Sequence, residues 1–181
     1  MQTLLTLLSD GRFHSGEELG ALLGVSRSAV WKRLEGFERD YGMVVQRVRG
    51  RGYRLEEPLS IIAPRKDSGP WPLDVLFSTD STNAEVLRRL SAGAVAPFAI
   101  LAERQTAGRG RRGRQWESPF GANLYYTLGI AVRGGAKELE GLSLVVGLAV
   151  ARAIRSLGIA DVGLKWPNDV LVGGKKIAGI L

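Results

Sequence analysis

The chain has no cysteine and a single histidine, His14. Disulfides, thiolate nucleophiles and cysteine-ligated zinc are therefore outside its chemistry, and one imidazole cannot build a metal cluster alone. Long apolar runs are also missing. The most apolar later stretch, 142–151, lies between Glu140 and Arg152 and falls far short of the roughly 20 residues that span a bilayer. The first ten residues carry neither a basic start nor a small-residue cleavage site, so they do not read as a secretory signal. A cytoplasmic protein with no membrane partner is the expectation.

What is present is enough to fold. Across 181 residues, 45% are hydrophobic and 24% charged, a balance that buries a core and argues against wholesale disorder. Lys and Arg number 25 against 18 Asp and Glu, and the net charge of +7 favours an anionic partner. Nucleic acid, nucleotide phosphates and headgroups all satisfy that charge.

Proline marks a seam. Pro58, Pro64, Pro70 and Pro72 are four of the seven prolines, in a stretch that cannot continue a helix or an inner strand. The expected organisation is a small domain over 1–57, a linker over 58–71 and a larger domain over 72–181.

In the first block, Leu4, Leu5, Leu7 and Leu8 predict a helix ending near Asp10. A second helix over 15–23 has Ser15 as N-cap, Glu17 and Glu18 in its first turn and Gly24 just past its end. A third helix starts from Ser26 and runs to about Tyr41, with Val30, Leu34, Phe37 and Tyr41 at helical spacing. Alternation over 43–55, broken by Arg49-Gly50-Arg51-Gly52, predicts a hairpin with a basic tip. Three helices and a basic hairpin resemble a winged helix-turn-helix. Its third helix would present Arg27, Ser28, Trp31, Lys32 and Arg33 to the major groove, with Arg49 and Arg51 on backbone or minor groove. The plain alternative is a helical interaction domain whose basic residues are simply solvated.

The second block alternates strand and helix. Strands are expected over 74–78, 98–102, 123–132, 162–165, 170–172 and 177–181, with a helix over 84–92 capped from Ser81-Thr82-Asn83. A long helix over 137–157 is expected to be buried on much of its surface. Between two strands, residues 108–114 hold three glycines and four arginines. This combination offers a mobile backbone, exposed N–H groups and fixed positive charge, suited to a phosphate or carboxylate. It lacks the Gly-Lys-Ser/Thr of a P-loop, and alone it also suits an RNA-binding Arg-Gly segment or a solvated loop. In Lys165-Trp166-Pro167-Asn168-Asp169, a carboxylate and an amide between short strands suit magnesium and a base or ribose, or else an Asx turn closing a hairpin.

Taken in order, Ser81-Thr82-Asn83, Gln105, the Gly108 to Arg114 run with Trp116, Ser118-Pro119-Phe120-Gly121-Ala122-Asn123-Leu124, Lys165-Trp166-Pro167-Asn168-Asp169 and Lys176-Ile177-Ala178-Gly179 resemble the biotin protein ligases. With the winged helix in front, the chain is similar to the bifunctional bacterial members that also repress biotin genes. The resemblance implies an α+β protein in which the winged helix-turn-helix precedes a mixed-sheet, class II synthetase-like ligase domain. Because that domain continues in the family past the Lys-Ile-Ala-Gly strand, an incomplete catalytic domain is expected here.

The implied reaction joins biotin to ATP as biotinyl-5′-AMP and then to a lysine of a biotin carboxyl carrier protein. Mg2+ accompanies the nucleotide, operator DNA is the second partner, and ligand promotes a homodimer. By similarity Ser81, Thr82, Asn83, Gln105, Gly108, Arg109, Gly110, Arg111, Lys176 and Gly179 line the biotin pocket. Arg109, Arg111, Arg112, Arg114, Trp116, Asn168 and Asp169 approach the nucleotide. Arg111 and Lys176 are the catalytic pair, and Asp169 holds magnesium, directly or through water. A catalytically incomplete, ligand-sensing repressor is the alternative.

Overall fold

The computed structural model describes residues 2–63 and 69–181. Linker positions 64–68 lie outside the described residues. The chain forms two compact units, one of Met1–Gly108 with Glu117–Gly129 and the other of Arg109–Trp116 with Ile130–Leu181.

The first unit opens with α1 (Gln2–Leu8), α2 (Gly16–Leu23) and α3 (Arg27–Tyr41), followed by an antiparallel hairpin of β1 (Val45–Val48) and β2 (Gly52–Leu55). Local chemistry sets these boundaries. The Ser15 hydroxyl accepts from the Glu18 amide at 3.0 Å while Glu18 accepts from the Ser15 amide at 3.3 Å, a closed capping box. Gly24 ends α2 at φ +63, and Ser26 caps α3 through the Ala29 amide at 3.2 Å. Between the helices a Cβ on Gly20 would stand 2.7 Å from the Val25 carbonyl, so the tight turn needs glycine there. Leu4, Leu5, Leu8, Leu19, Val30, Leu34 and Phe37 are fully buried against Val45, Tyr53 and Leu55.

The same unit continues with β3 (Leu73–Leu76), α4 (Thr82–Ser91), β4 (Phe98–Ala102) and β5 (Tyr125–Gly129). Strand β4 is central, parallel to β3 and antiparallel to β5, and all five of its residues are buried. That is why its sequence, Phe-Ala-Ile-Leu-Ala, is apolar without alternation. Val86 of α4 packs on Phe98 and Ile100. The expected strand over 123–132 is shorter because its pairing with β4 covers five residues. Helix α4 starts two residues earlier than the expected 84–92, and the Ser81 side chain makes no capping hydrogen bond.

Within this unit the end of α3 reaches the segments that flank the sheet. Tyr41 meets Phe77 at 5.5 Å and Phe120 at 5.2 Å, both edge-on. Arg104 lies 5.2 Å over the Tyr41 ring and donates to the Asp40 carbonyl. Glu103 beside it is only 2% exposed, accepts from the Ile62 amide at 2.6 Å and has no partner for Oε2 among the described residues.

The second unit holds α5 (Leu142–Ser156) and an antiparallel meander of β6 (Val162–Lys165), β7 (Asp169–Val172) and β8 (Lys175–Gly179) around Ala151, Val162 and Val170. The long helix expected over 137–157 is broken. A 3-10 turn at Ala136–Leu139 comes first, and Gly141 at φ +77 separates it from α5. Nor is α5 buried on much of its surface: Gly147 and Ala151 are its buried residues, and Val145 is 65% exposed. The described sheet covers one face of this helix. Strand β8 also begins two residues before the expected 177, because Gly173 and Gly174 both adopt positive φ and turn the chain so that Lys175 faces Val172. The register then slips between Val170 and Leu171, leaving Ile177 as the extra residue of a bulge beside Lys176.

Burial pushes the Glu103 carboxyl above its ordinary 4.5, outweighing the pull of the Ile62 amide. A raised folded value favours folding with the proton on, so this contribution is complete below 4.5 and is lost as pH rises through the raised value. Melts of the parent should lose stability as pH rises above 4.5 relative to Glu103→Gln, which cannot ionise. Parallel curves would contradict that.

Candidate functional site

The first unit gathers a relay of neutral polar groups. Thr79 bridges to Gln105 in parallel fashion, extending the line of β3 and β4. The Gln105 side chain then works in two directions. Its Oε1 accepts from the Thr82 amide at 2.9 Å and the Thr82 hydroxyl at 3.1 Å, and its Nε2 donates to Ser118 at 2.9 Å. Thr127 of β5 donates to the Thr82 hydroxyl at 2.9 Å. Gln105 thus supplies the cap for α4 that the Ser81 hydroxyl does not.

Ser81, Thr82 and Ser118 are buried, and Asn83 follows them on the first turn of α4. Of the predicted biotin residues the structure therefore brings Ser81, Thr82, Asn83 and Gln105 together. Sequence reasoning quoted Ser118 in a motif without giving it a role. It missed Thr127, which reads as one more residue of an alternating strand. The group offers donors and acceptors without net charge, a surface suited to a neutral ring bearing amide-like groups.

The second unit carries the charge. In the Gly-Arg loop Arg109 bridges to Gln115, the Gly110 amide donates to the Arg114 carbonyl at 2.7 Å, and Arg111–Gly113 forms a 3-10 turn with Arg112 at φ 60. The expected open backbone is instead a closed hairpin that pairs part of its own N–H groups. Its four arginine side chains, Arg109, Arg111, Arg112 and Arg114, are exposed.

Where the hairpin ends, Trp116 turns onto β8. The Lys176 ammonium lies 5.0 Å from the indole centroid and 2.7 Å from Asp169 Oδ1. A Cβ on Gly179 would stand 3.0 Å from the indole Cη2 and 3.2 Å from the Lys176 nitrogen, so the bare backbone of Gly179 is the floor on which both rest. Asn168 donates through its side-chain Nδ2 to the Ile180 carbonyl at 2.9 Å, and its backbone carbonyl accepts from the Ile180 amide at 2.9 Å. Part of its amide is therefore committed to holding β8. Asp169 was the expected metal ligand, yet its carboxylate engages Lys176, and no group of three or more His, Cys, Asp or Glu that could hold a metal occurs among the described residues. A single carboxylate fits magnesium arriving on a nucleotide, with phosphates and water filling its coordination.

The predicted DNA face is on α3. Arg27, Ser28, Trp31 and Lys32 are exposed and Arg33 is half-buried. Arg49 is exposed in the turn between β1 and β2. Arg51 is not a free tip: its guanidinium lies 4.3 Å over the Phe13 ring, and that of Arg54 lies 4.7 Å from the same centroid. Phe13, which sequence reasoning passed over, braces the hairpin.

Residues 75–181 match the model of the biotin/lipoate A/B protein ligase family, and residues 1–54 match that of an HTH domain. The chain belongs to the biotin/lipoate A/B protein ligase family. It is 46% identical to the bifunctional ligase/repressor BirA of Salmonella typhimurium over 99% of its length and 56% of the relative's, and 44% identical to that of Escherichia coli over 98% and 56%. The chain thus spans about half the length of the curated relatives it matches. Among solved structures it is similar to the biotin protein ligase of Leishmania major in complex with biotinyl-5-AMP. That match has a TM-score of 0.52 and 35% identity, over 62% of this chain and 52% of the other.

The chain runs from the Gln105 segment into the arginine hairpin through the buried Gly108. In this family member the Trp116 seat is the feature most open to a single-atom test. Gly179→Ala should lift the indole from β8 and speed amide exchange across 109–116, with the global unfolding midpoint nearly unchanged. Unaltered exchange there would show that Gly179 is not the seat.

Proposed function

We propose that the chain activates biotin with Mg-ATP to biotinyl-5′-AMP and transfers biotin to a lysine of a biotin carboxyl carrier protein. Its winged helix-turn-helix, over 1–57 and joined through the linker 58–71 to the ligase domain 72–181, binds operator DNA to repress biotin genes, and ligand pairs two chains there. The observation that carries this reading is the Lys176 ammonium, held by Asp169 and Trp116 within the same unit as the Gly-Arg hairpin. Among the described residues no helix is long and apolar enough to cross a membrane, and a cytoplasmic setting belongs to the proposal.

The chemistry assigns the parts. Ser81, Thr82, Asn83 and Gln105 would hold the neutral ring of biotin by hydrogen bonds, with Ser118 and Thr127 orienting Gln105 and Thr82. A biotin carboxylate oxygen attacks the α-phosphorus, and pyrophosphate leaves. Two anions must approach, and negative charge builds on the α-phosphate oxygens as the new P–O bond forms.

Arg111 and Lys176 answer both needs as fixed positive charges. Held at the Asp169 carboxylate and facing two anionic substrates, Lys176 acts electrostatically. Magnesium, entering as part of Mg-ATP, neutralises phosphate charge. Arg109, Arg112 and Arg114 add donors for phosphate, Trp116 offers a stacking face for the base, and the backbone of Gly108 and Gly110 lets the ligand approach closely. In the second step the carrier lysine attacks the biotinyl carbonyl and AMP departs.

Mass spectrometry after incubation with biotin and Mg-ATP should detect biotinyl-5′-AMP, with Arg111→Ala and Lys176→Ala each slowing its formation by about 100-fold or more. Parental rates in both variants would reject the assignment. A second reading, a ligand-sensing DNA-binding repressor without catalysis, is favoured by the basic face of α3 and the braced hairpin. Operator binding should weaken as salt rises, and Arg27→Ala or Arg49→Ala should lower affinity and flatten the salt slope by about 1. Salt-insensitive binding would count against any DNA role.

A further inference from the structure

The start of α4 carries an ionic arrangement that none of the roles above uses. Asp80, just before Ser81, is gripped from both sides by Arg88. Its Nη1 donates to Oδ2 at 2.9 Å and its Nη2 donates to Oδ1 at 2.7 Å, a bidentate fork. Arg88 is itself aimed by Glu85, whose Oε2 accepts from its Nε at 3.0 Å and its Nη2 at 2.7 Å. Glu85 Oε1 takes Arg89 Nε at 2.9 Å, and Arg89 reaches back to Asp74 on β3.

The gripped residue is a junction. Asp80 Oδ1 also accepts from the Ser81 amide at 2.8 Å and the Thr79 hydroxyl at 3.1 Å. Its backbone carbonyl accepts from the Ala107 amide at 2.8 Å, next to the Thr106 amide on the Thr79 carbonyl at 2.9 Å. One residue therefore ties the turn holding Ser81 and Thr82 to the segment running from Gln105 into the Gly-Arg hairpin. The first two amides of that turn are committed to different elements, Thr82 to Gln105 and Ser81 to Asp80. Without the fork the Asp80 carboxylate is held through Oδ1 alone, by the Ser81 amide and the Thr79 hydroxyl, and Oδ2 loses its Arg88 bond.

We infer that Arg88 is a positioning residue for the biotin side of the site, acting through Asp80 to fix both the Ser81–Thr82 turn and the approach to the Gly-Arg hairpin. The inference rests on the ligase reading above. Arg88 keeps the Asp80 carboxyl well below the usual carboxylate range, so the pair stays ionised at every working pH. Both side chains are substantially exposed, at 53% and 43%, and solvent screening makes such a pair a weak source of global stability. Its effect falls on local order, and its loss is therefore separable from unfolding.

The test uses the full chain with Arg88→Met, Arg88→Lys, Asp80→Asn and the double variant Asp80→Asn/Arg88→Met. Amide hydrogen exchange is read without ligand and biotin affinity by calorimetry. In Arg88→Met the Ser81 and Ala107 amides should exchange faster while the Val86 and Leu90 amides, deeper in α4, do not change. Biotin should bind about tenfold more weakly. Arg88→Lys, a point charge without the fork, should recover part of both effects, and the double variant should bind no more weakly than Arg88→Met alone.

Unchanged exchange at Ser81 and Ala107 would overturn the clamp, and so would loosened amides with parental biotin affinity. If the parent itself takes up no biotin, the ligase reading fails and the exchange rates alone decide whether Arg88 orders the turn.

Discussion

A single side-chain amide joins most of the first unit's polar chemistry. Gln105 stands where the pairing of β3 and β4 runs out, and there it replaces backbone pairing with side-chain bonds to Thr82 on one side and Ser118 on the other. The N-terminus of α4 has no cap of its own from Ser81, so the helix that supplies Thr82 and Asn83 of the expected pocket depends on a glutamine 23 positions beyond Thr82. A half-buried amide of this kind is held by directional bonds on both sides, which sets its orientation and that of its neighbours together. Losing it would leave the buried Thr82 amide unpaired, a cost of about 1–3 kcal/mol.

Charge is sorted in the same spirit. The neutral relay of Thr82, Gln105, Ser118 and Thr127 lies in the first unit, while Arg109, Arg111, Arg112, Arg114 and Lys176 lie in the second. For a reaction between a carboxylate and a triphosphate the division is sensible. Recognition of a neutral ring calls for oriented hydrogen bonds, whereas bringing two anions together calls for fixed cations in a place prepared beforehand. Asp169 and the indole of Trp116 prepare Lys176 in this way without removing its charge.

Much of this was legible wherever the determinants are local. The caps of α2 and α3, the glycine ending α2 and the apolar run of β4 are short-range signals, and the winged helix followed them closely. The errors came where distant packing or backbone sign decides. Gly141 at φ +77 splits what reads as one long apolar helix, and Gly173 with Gly174 shifts β8 by two residues. The pocket residues and the Gly-Arg run were named from motif order. Ser118 pairing with Gln105, Asp169 with Lys176, and Phe13 beneath Arg51 are contacts across the fold that no spacing encodes.

The claim on which the account rests is that the Gln105 relay forms the ring-recognising half of a biotin site. Calorimetric titration of biotin into the parent and into Gln105→Ala, both verified as folded by circular dichroism, tests it directly. The account predicts saturable binding by the parent and affinity reduced about tenfold or more in the variant. Equal affinity in the two proteins would contradict it.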